Sequence, residues 1–203
     1  MGNEVRGTVH TGKACHAGKI LLETSELIFR GADYRQKVKF SEMIDVEAND
    51  GELRVKTRDS VFIFEIGAAA EKWREKILHP KTRVEKLGLK AGVRVRLLGQ
   101  FETDFLKELR TRKADIIQAN GSADTDHTFF AADAKSSLSA IAKFAKKMKG
   151  AETLWIVYPK GKKEFTENDV ISAGRKAGLK DVKVVGFSGT HTALKFVLPV
   201  EKR

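Results

Sequence analysis

Residues 151–165 read Ala-Glu-Thr-Leu-Trp-Ile-Val-Tyr-Pro-Lys-Gly-Lys-Lys-Glu-Phe, and this stretch decides the fold of the second half of the chain. Five consecutive apolar or aromatic residues, Leu154–Tyr158, predict a strand that is buried on both faces. Pro159 ends that strand. Three positive charges follow where the strand leads into a helix: Lys160, Lys162 and Lys163. Ligands of open α/β sheets bind at this carboxyl end of the strands.

Length and composition favour a soluble globular protein. The chain has 203 residues with 41% hydrophobic content, which is enough for a substantial core. No run approaches the roughly 20 apolar residues of a membrane helix, and the N-terminus has no apolar segment of signal-peptide length. We therefore expect a cytoplasmic protein with no membrane partner. The single cysteine, Cys15, excludes an internal disulfide and a cysteine-cluster metal site.

The net charge of +11 is unevenly placed along the chain. Residues 1–80 carry 13 Lys and Arg against 13 Asp and Glu, whereas residues 81–203 carry 25 against 14. This asymmetry predicts two modules, 1–80 and 81–203, of which the second is basic. A basic module attracts phosphates, nucleic acid or acidic proteins, although lysine-rich surfaces also serve solubility alone.

The first half consists of short strands separated by turn signals. Asp50-Gly51 is a strong hairpin signal, and the segment 68–78 has the apolar spacing of a helix that ends before Pro80. The predicted strands are 4–9, 19–23, 26–30, 35–39, 44–48, 52–57 and 60–66.

About seven short strands followed by one helix that carries Trp73 resemble the pleckstrin-homology superfold. The resemblance covers roughly residues 4–78 and implies a β-barrel closed at one end by its C-terminal helix. Many members of that superfold bind lipid headgroups or peptides, and four basic residues surround one turn: Arg30, Arg35, Lys37 and Lys39. The alternative, a solvent-exposed strand face balanced by nearby acidic residues, agrees with the zero net charge of this half.

The second half alternates strands and helices, which predicts an α/β sheet that is parallel at first and antiparallel at its end. The predicted strands are 93–98, 114–119, 154–158, 182–187 and 193–198, and the predicted helices are 81–87, 102–110, 134–149 and 167–177.

The helix that begins near Thr166 has the capping-box pattern, because Asp169 follows three residues later. Its positive N-terminus is predicted to lie close to the three lysines after Pro159, and helix dipole and charge together make an anion site. The alternative is that the lysines are an ordinary exposed loop. The predicted anion-binding residues are Lys160, Lys162, Lys163, Thr166, His191 and Lys195.

Three ordered motifs in the second half resemble a bacterial family known as domain of unknown function number three thousand and fifty-two. They are Leu87–Leu98, Leu154–Lys160 and Thr192–Val197, and the match spans roughly residues 83–199. The family implies a Rossmann-like fold of unassigned activity. Its members commonly have a tryptophan shortly before the last motif, whereas this chain has His191-Thr192 there.

The element order also resembles the later part of class I methyltransferases. Those enzymes place a glycine-rich loop after the first strand, but here the loop 98–102 has one glycine and no repeat. A dinucleotide fingerprint is missing for the same reason, and we expect no cofactor.

No catalytic or metal constellation stands out in the sequence. His16 follows Cys15 directly and, as an immediate neighbour in sequence, would point away from it, so a cysteine in a loop or at the entry to a strand is expected in this glycine-flanked segment. Asp124, Asp126 and His127 are close in sequence, but no further carboxylates follow at the spacing of a hard-ion loop, and loop or helix-cap roles fit them better.

The sequence therefore predicts a non-catalytic binding or regulatory protein with an anion or phosphate site at the carboxyl edge of the second sheet. A phosphate-bearing small molecule or an acidic protein is the expected partner. One alternative is a degenerate nucleotide-binding or methyltransferase-like enzyme that uses the same edge. The other is weak, charge-driven binding of nucleic acid. The sequence contains no signal for oligomeric state.

Overall fold

The structure is a computed structural model, and it describes residues 3–117 and 124–202. The chain divides into two compact units, Met1–Lys81 and Thr82–Arg203. Each unit is described by itself below.

The first unit consists of seven strands and one helix. The strands are β1 (Asn3–Thr11), β2 (Ala14–Leu22), β3 (Glu26–Gly31), β4 (Arg35–Lys39), β5 (Asp45–Asn49), β6 (Glu52–Lys56) and β7 (Val61–Glu65), and the helix is α1 (Ala69–Leu78). All pairs are antiparallel, in the order β4-β3-β2-β1-β7-β6-β5.

The core of this unit lies between the curled sheet and α1. Trp73 and Ile77 of α1 are buried at 3% and 6% exposure and join Leu53, Val55 and Phe64 of the sheet in one apolar cluster. The predicted hairpin at Asp50-Gly51 is confirmed, because both residues have positive φ angles, 49° and 84°.

β2 differs from the prediction, because it begins at Ala14 rather than at Lys19. The glycines of residues 12–18 suggest a loop, but only Gly12 lies in the turn, at φ 59°. Cys15 and His16 are therefore strand residues, paired with His10 and Val9 of β1.

The second unit consists of six strands and four helices. The strands are β8 (Arg94–Leu98), β9 (Asp115–Ile117), β10 (His127–Ala131), β11 (Thr153–Pro159), β12 (Lys180–Gly186) and β13 (His191–Val197). The helices are α2 (Arg83–Leu87), α3 (Thr103–Thr111), α4 (Ile141–Ala145) and α5 (Glu167–Lys176).

The sheet of this unit has the order β12-β13-β11-β10-β8-β9. The strands β9, β8, β10 and β11 are parallel, and β13 pairs antiparallel with both β11 and β12. The predicted change from parallel to antiparallel is therefore confirmed. Both faces are covered: α2 and α3 contribute Leu87, Phe105 and Leu109 to one core, and α4 and α5 contribute Ile141 and Val170 to the other.

Strand β10 is missing from the sequence prediction, which placed its first residue in a polar loop. The strand is central and pairs with β8 and β11, with Phe129 at 0% exposure. Its five residues read His-Thr-Phe-Phe-Ala and follow an acidic segment. Only the last three are apolar, which is too short a run to identify a buried strand.

The predicted helix 134–149 is also shorter in the structure. Residues Lys135–Ala140 form a 3₁₀ helix and only Ile141–Ala145 are α-helical. The Ser139 hydroxyl donates to the Ser136 carbonyl oxygen at 3.0 Å, which is the local competition with helical bonding expected of serine. The predicted strand 114–119 is observed at Asp115–Ile117, and residues 118 and 119 lie outside the described residues.

The predicted fold classes are confirmed. The first unit is a pleckstrin-homology-like antiparallel sheet with one C-terminal helix, and the second is a Rossmann-like α/β sandwich with a mixed sheet. Among the described residues, no helix has the length and apolar character needed to span a membrane.

Candidate functional site

The strand β11 brings the predicted lysines to one edge of the sheet. All seven residues of β11 are buried, as its apolar run requires. Pro159 pairs with His191 at the start of β13, and the backbone N–H of Lys160 donates to the Thr190 carbonyl oxygen at 2.8 Å. The edge at which β8, β10 and β11 end is called the carboxyl edge below.

Within residues 3–117 and 124–202, the three lysines at the carboxyl edge have no acidic partner. The Lys160 ammonium group donates a 2.6 Å hydrogen bond to the Ser188 carbonyl oxygen, and Lys162 and Lys163 are exposed. Among the described residues, no carboxylate oxygen lies within 4.0 Å of any of these three ammonium nitrogens. Their charges are therefore not neutralised by ion pairs within this part of the protein.

The turn 187–190, which connects β12 to β13, adds hydroxyl and imidazole groups to the same edge. The Thr190 hydroxyl and His191 Nδ1 are 2.9 Å apart. The carboxylate of Glu102 is also near this edge. Its pKa lies below the usual range, mainly because of a hydrogen bond with the Ser188 hydroxyl and then because of the charges of Arg83 and His191. An anion at this edge would therefore be bound beside Lys160 rather than beside Glu102.

Arg83 holds the turn 187–190 in place through the backbone of Phe187. Its guanidinium group lies 3.0 Å from both Glu102 and Glu108 and donates to the Phe187 carbonyl oxygen at 3.2 Å. It also lies over the Phe105 and Phe187 rings, 5.2 and 4.9 Å from their centroids. The Arg83 side chain is 12% exposed, so its contacts form a hydrogen-bond network that is largely shielded from water and that orients the turn.

The N-terminus of α5 is capped by its own side chains. The Thr166 hydroxyl accepts from the Asp169 N–H, and the Asp169 carboxylate accepts from the Thr166 N–H at 2.9 Å, which confirms the predicted capping box. The pKa of Asp169 is lowered to about 2. The hydrogen bond with Lys135 is the largest cause, and the hydrogen bonds with Thr166 come second. Asp169 thus occupies the place that the sequence prediction gave to a bound anion, and lysine charge remains the main attraction.

The structure does not bring Lys195 to the carboxyl edge. Lys195 lies four residues along β13 from His191, roughly 13 Å at the rise of a strand. It pairs with Trp155 and Lys183, in the interior of the sheet.

Asp126 and His127 have structural partners. The Asp126 carboxylate accepts from the Arg94 N–H at 2.8 Å, and His127 Nδ1 lies 2.7 Å from the Thr153 hydroxyl. Asp124 lines the same cavity of about 490 Å³ as these two side chains, at the amino edge of the sheet. The helix-cap interpretation of His127 is wrong, because His127 begins β10.

In the first unit, Cys15 lies near a histidine that the sequence analysis did not connect with it. Its Sγ is 3.9 Å from His10 Nε2, and the same nitrogen lies 2.9 Å from the Glu65 carboxylate. A nucleophile-base-acid triad needs the two ring nitrogens for different partners, so this arrangement does not form one. His16 instead stacks on Tyr34 at 4.5 Å.

The basic residues of β3 and β4 partly pair with acids. Lys37 and Lys39 each lie 4.0 Å from a carboxylate, those of Glu26 and Glu42. This pairing favours the interpretation of an exposed, balanced strand face. Within residues 3–117 and 124–202, no group of three or more His, Cys, Asp or Glu side chains is arranged to hold a metal ion.

Sequence reasoning missed Arg83, Glu102 and Ser188 as parts of this edge. They are separated by up to 105 positions, so no local motif joins them. The only available signal was the alternation of strands and helices. Glu102 follows the end of β8 and Ser188 follows the end of β12, so both residues are expected at the carboxyl edge once these two strands are placed in the sheet.

No protein-family model matches the chain, and a comparison with curated proteins gives no match. The resemblance to domain of unknown function number three thousand and fifty-two therefore stays a prediction.

Solved structures with similar folds include representatives of both predicted classes. The N-terminal PH domain of human ARAP2 is 10% identical with a TM-score of 0.33, and the match covers 38% of this chain and 76% of that domain. A SAM-dependent methyltransferase from Aquifex aeolicus is 16% identical with a TM-score of 0.43, over 56% of this chain and 86% of that one. A TehB-like SAM-dependent methyltransferase from Corynebacterium glutamicum is 10% identical with a TM-score of 0.37, over 64% and 96%. Similarity at this level carries no statement about activity.

Proposed function

We propose that the second unit binds a phosphate-bearing small molecule at the carboxyl edge, and that the chain acts as a binding or regulatory protein. The observation that supports this proposal is the cluster of Lys160, Lys162 and Lys163, whose ammonium groups have no carboxylate within 4.0 Å among the described residues. Charged groups of one sign at a sheet edge raise the local concentration of counter-ions.

The neighbouring groups give this edge more than charge. The turn that the Lys160 ammonium group contacts at the Ser188 carbonyl oxygen also carries the hydroxyls of Ser188 and Thr190, and the imidazole of His191 follows it. Lysine ammonium groups with hydroxyl and imidazole donors suit phosphate oxygens, which accept several hydrogen bonds. Thr166 takes part by holding the start of α5 in place, since its hydroxyl is engaged with Asp169.

A thermal-shift panel tests this function. The panel contains inorganic phosphate, sulfate, sugar phosphates, nucleotides and S-adenosylmethionine. Stabilisation by phosphate-bearing compounds that rises with ligand concentration supports the proposal, since a ligand that binds only the folded state raises its stability by mass action. Stabilisation by S-adenosylmethionine alone would instead favour the methyltransferase-like enzyme.

Charge-driven binding of nucleic acid is separated from this function by its salt dependence. Non-specific binding through phosphates weakens steeply as salt rises. Tight binding of DNA or RNA near physiological salt, with discrimination between sequences, would contradict a small-molecule function.

A further inference from the structure

One residue of the turn 187–190, Ser188, joins two groups of opposite charge at the carboxyl edge. Its carbonyl oxygen accepts the 2.6 Å hydrogen bond from the Lys160 ammonium group, and its hydroxyl is hydrogen-bonded to the Glu102 carboxylate. Lys160 and Glu102 form no direct ion pair within 4.0 Å. Because hydrogen bonds of about 3 Å lie on either side of a single residue, the two charged groups are within roughly 10 Å of each other.

The Glu102 carboxylate retains negative charge and can be reached from solvent. Arg83 serves two carboxylates at once, since its guanidinium group lies 3.0 Å from both Glu102 and Glu108. One positive charge against two negative charges leaves these three side chains with a net charge of −1. The Glu102 side chain is 43% exposed. A carboxylate has about four acceptor positions, so Glu102 can accept hydrogen bonds beyond those from Arg83 and Ser188.

The two charges of this edge make different demands on a ligand. The lysines Lys160, Lys162 and Lys163 attract an anion, whereas the Glu102 carboxylate repels an anion and binds a hydrogen-bond donor. The hydrogen bond with the Ser188 hydroxyl, and then the contacts with Arg83, lower the pKa of Glu102, so this carboxylate acts as an acceptor only. A bare phosphate dianion suits the lysines alone. A phosphate ester that also carries a hydroxyl group suits both.

We propose that the ligand of the carboxyl edge is a phosphate monoester with a free hydroxyl group close to the ester bond, such as a polyol phosphate or a sugar phosphate. This inference rests on the phosphate-binding function proposed above. The phosphate group binds the lysines, and the hydroxyl group donates to the Glu102 carboxylate. In such a compound three or four bonds of about 1.5 Å separate the ester oxygen from the hydroxyl oxygen, which fits the spacing of the two charged groups.

The same arrangement predicts selectivity against phosphate esters without a hydroxyl group. An alkyl ester would leave the Glu102 carboxylate without a donor and close to a second anion. Sites that accept a hydrogen bond from a substrate hydroxyl discriminate strongly against the analogue that lacks it, because the polar group of the site is then unpaired.

Two monoesters of equal charge and chain length test the proposal. Glycerol 1-phosphate has two hydroxyl groups, and propyl phosphate has none. Isothermal titration of the full chain gives the dissociation constant of each, and inorganic phosphate is titrated in parallel. We expect the wild type to bind glycerol 1-phosphate about tenfold more tightly than propyl phosphate, as one hydrogen bond to a charged group allows.

Two variants that each remove one negative charge test the role of Glu102. Glu102→Met removes the acceptor at the N-terminus of α3, and Asp104→Met, in the first turn of the same helix, is the matched control. Glu102→Met should bind the two monoesters with dissociation constants within about twofold of each other, and propyl phosphate at least as tightly as the wild type does. Asp104→Met should keep the preference of the wild type for glycerol 1-phosphate.

The possible failures of this inference and of the proposed function are distinguishable. Equal affinity of the wild type for the two monoesters would overturn the inference and leave the phosphate-binding function standing. Absence of binding for both monoesters and for inorganic phosphate would overturn both. A preference that persists in Glu102→Met would assign the hydroxyl group to another residue and so contradict the role of Glu102.

Discussion

The Lys160 ammonium group donates a 2.6 Å hydrogen bond to the backbone carbonyl oxygen of Ser188, which joins the end of β11 to the turn between β12 and β13. The acceptor is neutral, so the positive charge of Lys160 is oriented by this bond but not cancelled. An oriented, uncancelled charge is what an anion site needs, because less ordering remains to be done when the ligand arrives.

Arg83 is predicted to be a main determinant of the stability of the second unit. Arg83→Met removes the partner of Glu102 and Glu108 and should lower the free energy of unfolding by about 1–2 kcal/mol, because the guanidinium group is 12% exposed but both carboxylates are a third or more exposed and can be solvated. Arg83→Lys should recover less than half of this loss, since lysine lacks the planar fork. Urea unfolding gives both values.

Lys107→Met is the matched control for Arg83. Lys107 lies 3.5 Å from Asp104 with both side chains mostly exposed, so its removal should change the stability by less than about 0.5 kcal/mol. An Arg83→Met effect as small as that of Lys107→Met would show that the network does not hold the turn.

The pH dependence of stability is predicted to contain a contribution from His127. Its pKa is lowered to about 4 in the folded protein from an ordinary value near 6.5, so between these values the unfolded chain binds the additional proton. The free energy of unfolding therefore rises with pH through this window, by roughly 3 kcal/mol at most from this residue. His127→Gln should flatten the difference between pH 4.5 and pH 7.

Carboxylates titrate in part of the same window, and the comparison of wild type with His127→Gln removes their common contribution. Equal slopes for the two proteins between pH 4.5 and pH 7 would contradict the burial of a neutral His127.

Gly174 is predicted to be intolerant of substitution. A Cβ atom at this position would lie 2.0 Å from a ring carbon of Phe196, which is 0% exposed. Alanine gains about 1 kcal/mol of helix propensity but overpacks the core by about 1–3 kcal/mol or more, and at this distance the clash dominates. Gly174→Ala should lower the melting temperature, whereas Ser172→Ala, exposed on the same helix, should not.

A double variant checks the cause of the Gly174 effect. Phe196→Leu should destabilise the wild type but recover part of the stability of Gly174→Ala, because it removes the ring atoms that clash. Additive effects of the two substitutions would contradict the steric explanation.

The two units are predicted to fold independently. Chains of residues 1–81 and 82–203 should each melt cooperatively, because each has its own apolar core. Circular dichroism of the separate chains is the measurement. Failure of either chain to melt cooperatively would mean that the two units depend on each other for stability.

The elements that the sequence predicts well have strong, local signals. β11 follows from its apolar run, α5 from Thr166 and Asp169, and the hairpin from Asp50-Gly51. β10 was missed because its place between β8 and β11 depends on strands that are distant in the sequence, which a short mixed segment does not reveal.

The candidate site divides in the same way. The lysines after Pro159 were predictable because a strand end and a charge run coincide. The separation of Lys195 from His191 was not, since it depends on the antiparallel register of β13 against β11. The role of Arg83 depends on three segments that only tertiary packing joins.

The most direct test of the phosphate-binding proposal compares two triple variants in the thermal-shift panel. One is Lys160→Ala, Lys162→Ala and Lys163→Ala together. The other is Lys143→Ala, Lys146→Ala and Lys147→Ala, three exposed lysines away from the carboxyl edge, which changes the net charge equally. Without ligand, both variants should melt close to the wild type, because exposed charges contribute little stability. With phosphate-bearing ligands, we predict stabilisation of the wild type and of the second variant and none of the first. Equal stabilisation of both variants, or no shift of the wild type with any compound of the panel, would contradict the proposal.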